Sequence, residues 1–171
     1  MTTMDQTSGS AAGSWQPPSA LARKRILDNS KAIAIVGASS NPARASNFVM
    51  TYLKSSMCQF DLYPVNPRET EILGYKAYPS LDALPVVPDI VDVFRKPDDC
   101  PGIAREAISV GAKTLWLQLG IWSDEAAEIA HGAGLQVVMN RCTKIEHARF
   151  AGGLHLSGFD TGVINSRRAR R

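Results

Sequence analysis

Residues 31–53, KAIAIVGASSNPARASNFVMTYL, constrain the fold more than any other part of the chain. The apolar, β-branched run Ile33-Ala34-Ile35-Val36 reads as a strand buried on both faces, as strands of a parallel sheet are. Gly37-Ala38-Ser39-Ser40 makes a turn of small residues, and Asn41-Pro42 supplies a helix cap and a proline at the first helical position. Behind it, Ala45, Phe48, Val49, Tyr52 and Leu53 recur at helical spacing and mark one apolar face. A buried strand turning tightly into a helix leaves unpaired backbone N–H groups aimed at one spot. Such a spot favours anions, phosphates above all.

The alternation continues downstream. Residues 20–29 read as a short helix, 59–65 as a second strand, 72–78 as a crossing loop and 80–84 as a helical turn. Strands over 89–94, 113–119 and 135–140 alternate with helices over 101–110, from Ser123, and over 143–150. Ser123 reads as an N-cap, and Thr143-x-x-Glu146 as a capping box. Strand and helix, five times over, predict right-handed crossovers and a doubly wound, mainly parallel five-stranded α/β sheet of Rossmann-like type, with helices on both faces. A chain of 171 residues buries one such core but not two. The expected organisation is a disordered leader over 1–19, one domain over 20–156, and a flexible basic tail over 157–171.

Composition removes several function classes. No apolar run approaches a membrane span, and the first residues lack the charged start and apolar core of a secretion signal. Cys58, Cys100 and Cys142 are an odd number at wide spacing, which argues against a disulfide framework or a zinc site and for the reducing cytoplasm. The formal charge of +3 depends on the tail: without the four arginines among the last five residues, 15 basic residues face 16 acidic ones. A near-neutral body argues against a general nucleic-acid binder, and the RRARR end reads as a solvated terminus.

Open sheets of this kind take their ligands outside the carboxyl ends of the strands. There the sequence places Gly37, Ala38, Ser39, Ser40 and Arg44 after the first strand, and Asn66, Pro67 and Arg68 after the second. Arg95, Lys96 and Pro97 follow the third; Gly120, Ile121 and Trp122 the fourth; Arg141, Cys142 and Lys144 the fifth. Four of the five ends carry a cation in an otherwise neutral body, which points to a polyanionic ligand. A dinucleotide fingerprint asks for G-x-G-x-x-G and an acid at the end of the second strand to hold a ribose diol. Here Ser39 and Pro42 replace the later glycines. Val65-Asn66-Pro67-Arg68 offers a guanidinium suited to a ribose phosphate. That disfavours NAD and leaves NADP and coenzyme A, which these residues alone do not separate.

The ordered set of motifs resembles a known family. Gly37-Ala38-Ser39 after the first strand, Pro64-Val65-Asn66-Pro67 after the second, the strand at 89–97 with its basic end, and Leu117-x-x-Gly120 carry the likeness. So does the run Val138-Met139-Asn140-Arg141-Cys142-Thr143-Lys144-Ile145-Glu146-His147. They are similar to the coenzyme A-binding domain that opens the succinyl-CoA synthetase alpha subunit and NDP-forming acyl-CoA synthetases, and above all to its stand-alone single-domain members. The resemblance spans roughly 20–156. It implies that Gly37, Ala38, Ser39, Ser40 and Arg44 hold the pyrophosphate, and that Asn66, Pro67 and Arg68 sit by the adenosine ribose and its phosphate. By the same likeness Phe94, Arg95, Lys96 and Pro97 wall the nucleotide side, while Gly120 and Trp122 border the pantetheine. The synthetases also use a phosphorylated histidine in a second domain. This chain has only His131, His147 and His155, so the resemblance implies a module that binds coenzyme A or an acyl-CoA without acyl-transfer machinery, with no catalytic residue and no metal. An NADP-binding reductase-like domain is the alternative.

Cys142, flanked by Arg141 and Lys144 at a strand end and helix start, reads either as a stabilised thiolate that forms a mixed disulfide with the cofactor or as an inert packed thiol. His147 reads as a helix-surface or core histidine bonded to Glu146 or backbone, Cys58 and Cys100 as packing, and Trp116 as core. The expected partner is a small nucleotide ligand, with no membrane; a homo-oligomer or a partner enzyme stays open.

Overall fold

The apolar run at Ile33 lies inside a five-stranded parallel sheet in the computed structural model, which describes residues 13–55 and 58–151. In chain order the elements are α1 (Ala20–Asp28), β1 (Ala32–Val36), α2 (Ala45–Leu53), β2 (Asp61–Val65) and a small hairpin of β3 (Glu71–Ile72) and β4 (Tyr75–Lys76). Then come β5 (Ile90–Val93), α3 (Cys100–Ser109), β6 (Thr114–Leu117), α4 (Asp124–Gly132), β7 (Gln136–Val138) and α5 (Thr143–Ala151). The strand order is β2-β1-β5-β6-β7, every main pairing parallel. The expected doubly wound sheet is therefore what forms.

Successive side chains on a strand point to opposite faces, and both faces are apolar here. Ala34 and Val36 join Val91, Val93, Leu115 and Leu117 on the face covered by α3 and α4, whose Ala104, Ala107, Ala126 and Ala130 allow close approach. Ile33 and Ile35 point the other way and pack with Met50, Leu53, Trp116, Val138 and Phe150 beneath α1, α2 and α5. The chain leaves β1 toward β2 and later returns to β5 on the other side of β1. The connections diverge between β1 and β5, and in open sheets of this type such a switch point is where ligands bind, beyond the carboxyl ends of the strands.

Local expectations hold at some helix starts and fail at others. Ser19 and Ser123 cap α1 and α4, each accepting an N–H three residues on at 3.2 Å. Asn41-Pro42 does not start α2, which begins at Ala45. The Asn41 side chain instead accepts the Ala43 N–H at 2.9 Å, an Asx turn that competes with a cap. The Thr143-Glu146 capping box does not form either. Thr143 donates to Asp92 Oδ2 at 3.0 Å, and the Glu146 carboxylate takes Arg23 Nε at 2.9 Å. Tertiary partners claim both side chains.

Residues 13–19 of the expected leader are docked on the domain. The Trp15 indole donates to the Val137 carbonyl at 3.1 Å, and its ring meets Trp122 edge to face at 5.6 Å. The expected boundary at residue 19 therefore falls inside a packed segment. Residues 1–12, the end of the expected domain (152–156) and the basic tail lie outside the described residues. Among the described residues no helix is long and apolar enough to cross a membrane.

Candidate functional site

The turn after β1 is the centre of the site. Gly37 has φ +84, and its N–H donates to the Val65 carbonyl at 3.2 Å, extending the β1–β2 ladder by one rung. A Cβ here would stand 2.8 Å from the Phe94 carbonyl oxygen and 3.0 Å from Arg95 Cδ, so the turn rests directly on the end of β5. Asn66 fastens the end of β2 to the same turn: its Nδ2 donates to the Ala38 carbonyl at 2.8 Å, and its Oδ1 accepts the Arg68 N–H at 2.7 Å. Ser39 Oγ accepts the Asn41 N–H at 3.1 Å, and its carbonyl accepts Asn47 Nδ2 at 3.0 Å. Gly37, Ala38, Ser39, Asn66, Phe94 and Arg95 are thus brought together.

Ser40 shows something the sequence reading missed. Its N–H donates to both carboxylate oxygens of Glu69, each at 3.2 Å, and Asn66 Nδ2 approaches Glu69 Oε1 at 3.4 Å. An acid does stand beyond β2, four residues past Val65, and it sits on the turn amide rather than at the strand end. Its sole sequence signal is its place behind the Asn66-Pro67-Arg68 run.

Arg44, Pro67, Arg68, Lys96 and Pro97 are exposed around this turn. Arg95 pairs with Asp99, its Nη2 at 3.0 Å. Lys144, at the start of α5, places Nζ 3.8 Å from the ring centre of Phe48, which is 63% exposed. Gly120 and Trp122 belong to a second group at the ends of β6 and β7. The Gly120 N–H donates to Asn140 Oδ1 at 2.8 Å, and Trp122 Nε1 donates to Asp124 at 2.9 Å while its ring lies against Trp15. A cleft of about 150 Å³ there is lined by Trp122, Asn140, Arg141, Arg23 and Pro18.

A buried polar knot joins the two groups. Asp92, fully buried in β5, accepts from Gln118 Nε2 just past β6 and from the hydroxyl of Thr143 in the first turn of α5. Gln118 also donates to Thr143 Oγ1 at 2.8 Å. Burial pushes the Asp92 carboxyl up to about 7, against the pull of those two hydrogen bonds. Asp92 therefore ties together the three segments that lead into Phe94, Gly120 and Cys142.

Of the two readings of Cys142, its surroundings favour the packed thiol over the stabilised thiolate. It is half-buried, and burial pushes its thiol up. The amides of Ile145 and Lys144 and the Lys144 ammonium pull the other way, and the Asp92 charge adds to the rise. Alkylation of Cys142 by iodoacetamide at neutral pH, followed by intact mass, is expected to run slower than that of an unstructured cysteine. An equal or faster rate would contradict this account.

His147 also differs from expectation. Its Nδ1 lies 2.9 Å from the Tyr52 hydroxyl and 3.7 Å from Cys58 Sγ, while Glu146 faces Arg23 and Arg149 instead. Burial lowers its pKa and raises that of Tyr52, which suits neutral partners bridging α2 and α5. Cys58, Cys100 and Trp116 are buried as expected. Among the described residues no cluster of His, Cys, Asp and Glu is arranged to hold a metal ion.

The sequence and the fold resemble those of known proteins. The model of the CoA binding domain family matches residues 31–148. An uncharacterized protein of Bacillus subtilis, YneT, is 38% identical over 133 residues, covering 78% of this chain and 97% of its own. The solved structure of a hypothetical protein from Pyrococcus horikoshii superposes with a TM-score of 0.74 at 40% identity, over 79% of this chain and 96% of that one. The alpha subunit of an ADP-forming acetate–CoA ligase of Pyrococcus furiosus is 28% identical over 68% of this chain, which spans only 28% of that subunit. The family model spans β1 through most of α5, and the chain belongs to the CoA-binding domain family.

Proposed function

We propose that this protein binds coenzyme A, free or acylated, along the carboxyl rim of the sheet, and that it carries no acyl-transfer machinery of its own. The amides of Ala38, Ser39 and Ser40, in the turn that Gly37 makes possible, receive the pyrophosphate, with Arg44 beside them. Asn66, Pro67 and Arg68 meet the adenosine ribose and its 3′-phosphate, while Phe94, Arg95, Lys96 and Pro97 flank the nucleotide. Gly120, Trp122 and Cys142 lie toward the pantetheine end, joined to the nucleotide side through Asp92. The observation that carries this reading is the Gly37 turn. It leaves no room for a Cβ, and the Ser40 amide beyond it already draws a carboxylate in place of a phosphate. The family match and the relatives named as acetate–CoA ligases support coenzyme A over NADP.

Titration calorimetry with coenzyme A, acetyl-CoA, NADP and NAD tests it directly: heat from the CoA ligands alone is expected, and heat from NADP alone would replace the reading with its alternative. Arg68→Ala is expected to weaken coenzyme A roughly tenfold, as loss of a charge-assisted phosphate contact does, and to leave dephospho-CoA nearly unchanged. Equal losses for the two ligands would place Arg68 away from the ribose phosphate.

A further inference from the structure

We infer that Glu69 is a tethered surrogate anion that decides which ligands enter the turn, an inference that rests on the turn being the phosphate site. Its two carboxylate oxygens share the Ser40 N–H, and Asn66, the residue that clasps the turn through the Ala38 carbonyl, also reaches Oε1. Glu69 is thus held by the same groups that shape the cradle. A phosphate arriving at Ser40 has to displace this carboxylate, because one N–H does not serve both and two anions at contact distance repel.

A group tethered this closely acts at an effective concentration on the order of millimolar or more. Free inorganic phosphate, which brings no contact outside the turn, competes poorly against that. A ligand carrying a diphosphate together with an adenosine and a pantetheine spreads the displacement over many contacts and gets in. Glu69 therefore lowers absolute affinity and raises discrimination against small anions, which is selection by penalty on the wrong ligand.

Glu69→Gln isolates the charge, since a glutamine carbonyl still accepts the Ser40 N–H; Glu69→Ala removes the contact as well. In calorimetry both variants are expected to bind coenzyme A more tightly, the glutamine variant by roughly tenfold. Inorganic phosphate at a concentration harmless to the wild type is expected to compete with coenzyme A on the variants. Inorganic pyrophosphate is expected to bind the variants more tightly than the wild type, and pantetheine, which lacks phosphate, to be indifferent to the substitution. Unchanged or weaker coenzyme A binding in both variants, with phosphate no better a competitor, overturns the inference while leaving the coenzyme A reading intact. If coenzyme A binds neither wild type nor variants while pyrophosphate still tightens on Glu69→Gln, the Glu69 role stands and the coenzyme A reading falls. Absence of binding by either probe to any of the proteins overturns both.

Discussion

Gly37→Ala is expected to cost about 3 kcal/mol of stability or more and to weaken coenzyme A by more than tenfold. Two costs coincide at this residue. A side chain at φ +84 is strained by ~1–2 kcal/mol, and the new methyl would stand 2.8 Å from the Phe94 carbonyl oxygen. That carbonyl has little freedom to retreat. The Phe94 N–H donates to Val36 O at 2.8 Å, and the Val93 carbonyl before it accepts Gln118 N–H at 3.3 Å. The Arg95 methylene at 3.0 Å is the flexible end of a side chain and moves aside at small cost. Gly120→Ala is the matching control: φ is +86, yet nothing lies within 4 Å of the added Cβ, so only the strain remains. In a chain of this size the Gly37 variant is expected to melt roughly 6–12 °C below wild type and the Gly120 variant roughly 2–8 °C below. Equal shifts would mean that the turn and β5 are not in fixed contact.

The parts of the fold that local pattern encodes were legible. β1 alternates between two apolar faces, and its run has no polar residue to interrupt it, so a strand buried on both sides follows directly from Ile33-Ala34-Ile35-Val36. The strand ends also follow, because glycine, proline and cations punctuate each apolar run. What local pattern hides is any polar residue whose partner lies far along the chain. Asp92 looks like the wet position of a half-exposed strand, yet its partners Gln118 and Thr143 are 26 and 51 residues away and bury it completely. Thr143 and Glu146 have capping-box spacing, but Asp92, Gln118 and Arg23 outbid the backbone for their side chains. His147 finds Tyr52 across 95 residues. Glu69 is the instructive case at the site. An acid that holds a ribose diol stands at the end of β2, whereas this one reaches back to the turn amide.

Asp92→Asn is expected to change how stability depends on pH more than any other single substitution. Burial raises the folded-state carboxyl from the ordinary 3.8 to about 7. Below pH ~4 the group is protonated in both folded and unfolded chains and exerts no pH-dependent effect. As pH rises from ~4 to 7 the unfolded chain releases this proton while the folded one keeps it, so the contribution to stability falls by up to ~1.4 kcal/mol per pH unit. Above 7 the full penalty of a buried charge is present and the curve levels. Asparagine keeps an acceptor for Gln118 and adds a donor toward Thr143 Oγ1, but it has no proton to lose. The difference in unfolding free energy between Asp92→Asn and wild type, from urea titrations at matched pH, is therefore expected to grow in favour of the variant between pH 4.5 and 8. Its limit is a few kcal/mol, and other titrating groups cancel in the difference. Asp92→Ala is expected to be destabilised across the whole range, because it leaves the Gln118 amide and the Thr143 hydroxyl without their buried acceptor, at about 1–3 kcal/mol each. Parallel curves for Asp92→Asn and wild type would mean that the carboxyl ionises as freely inside the sheet as in water.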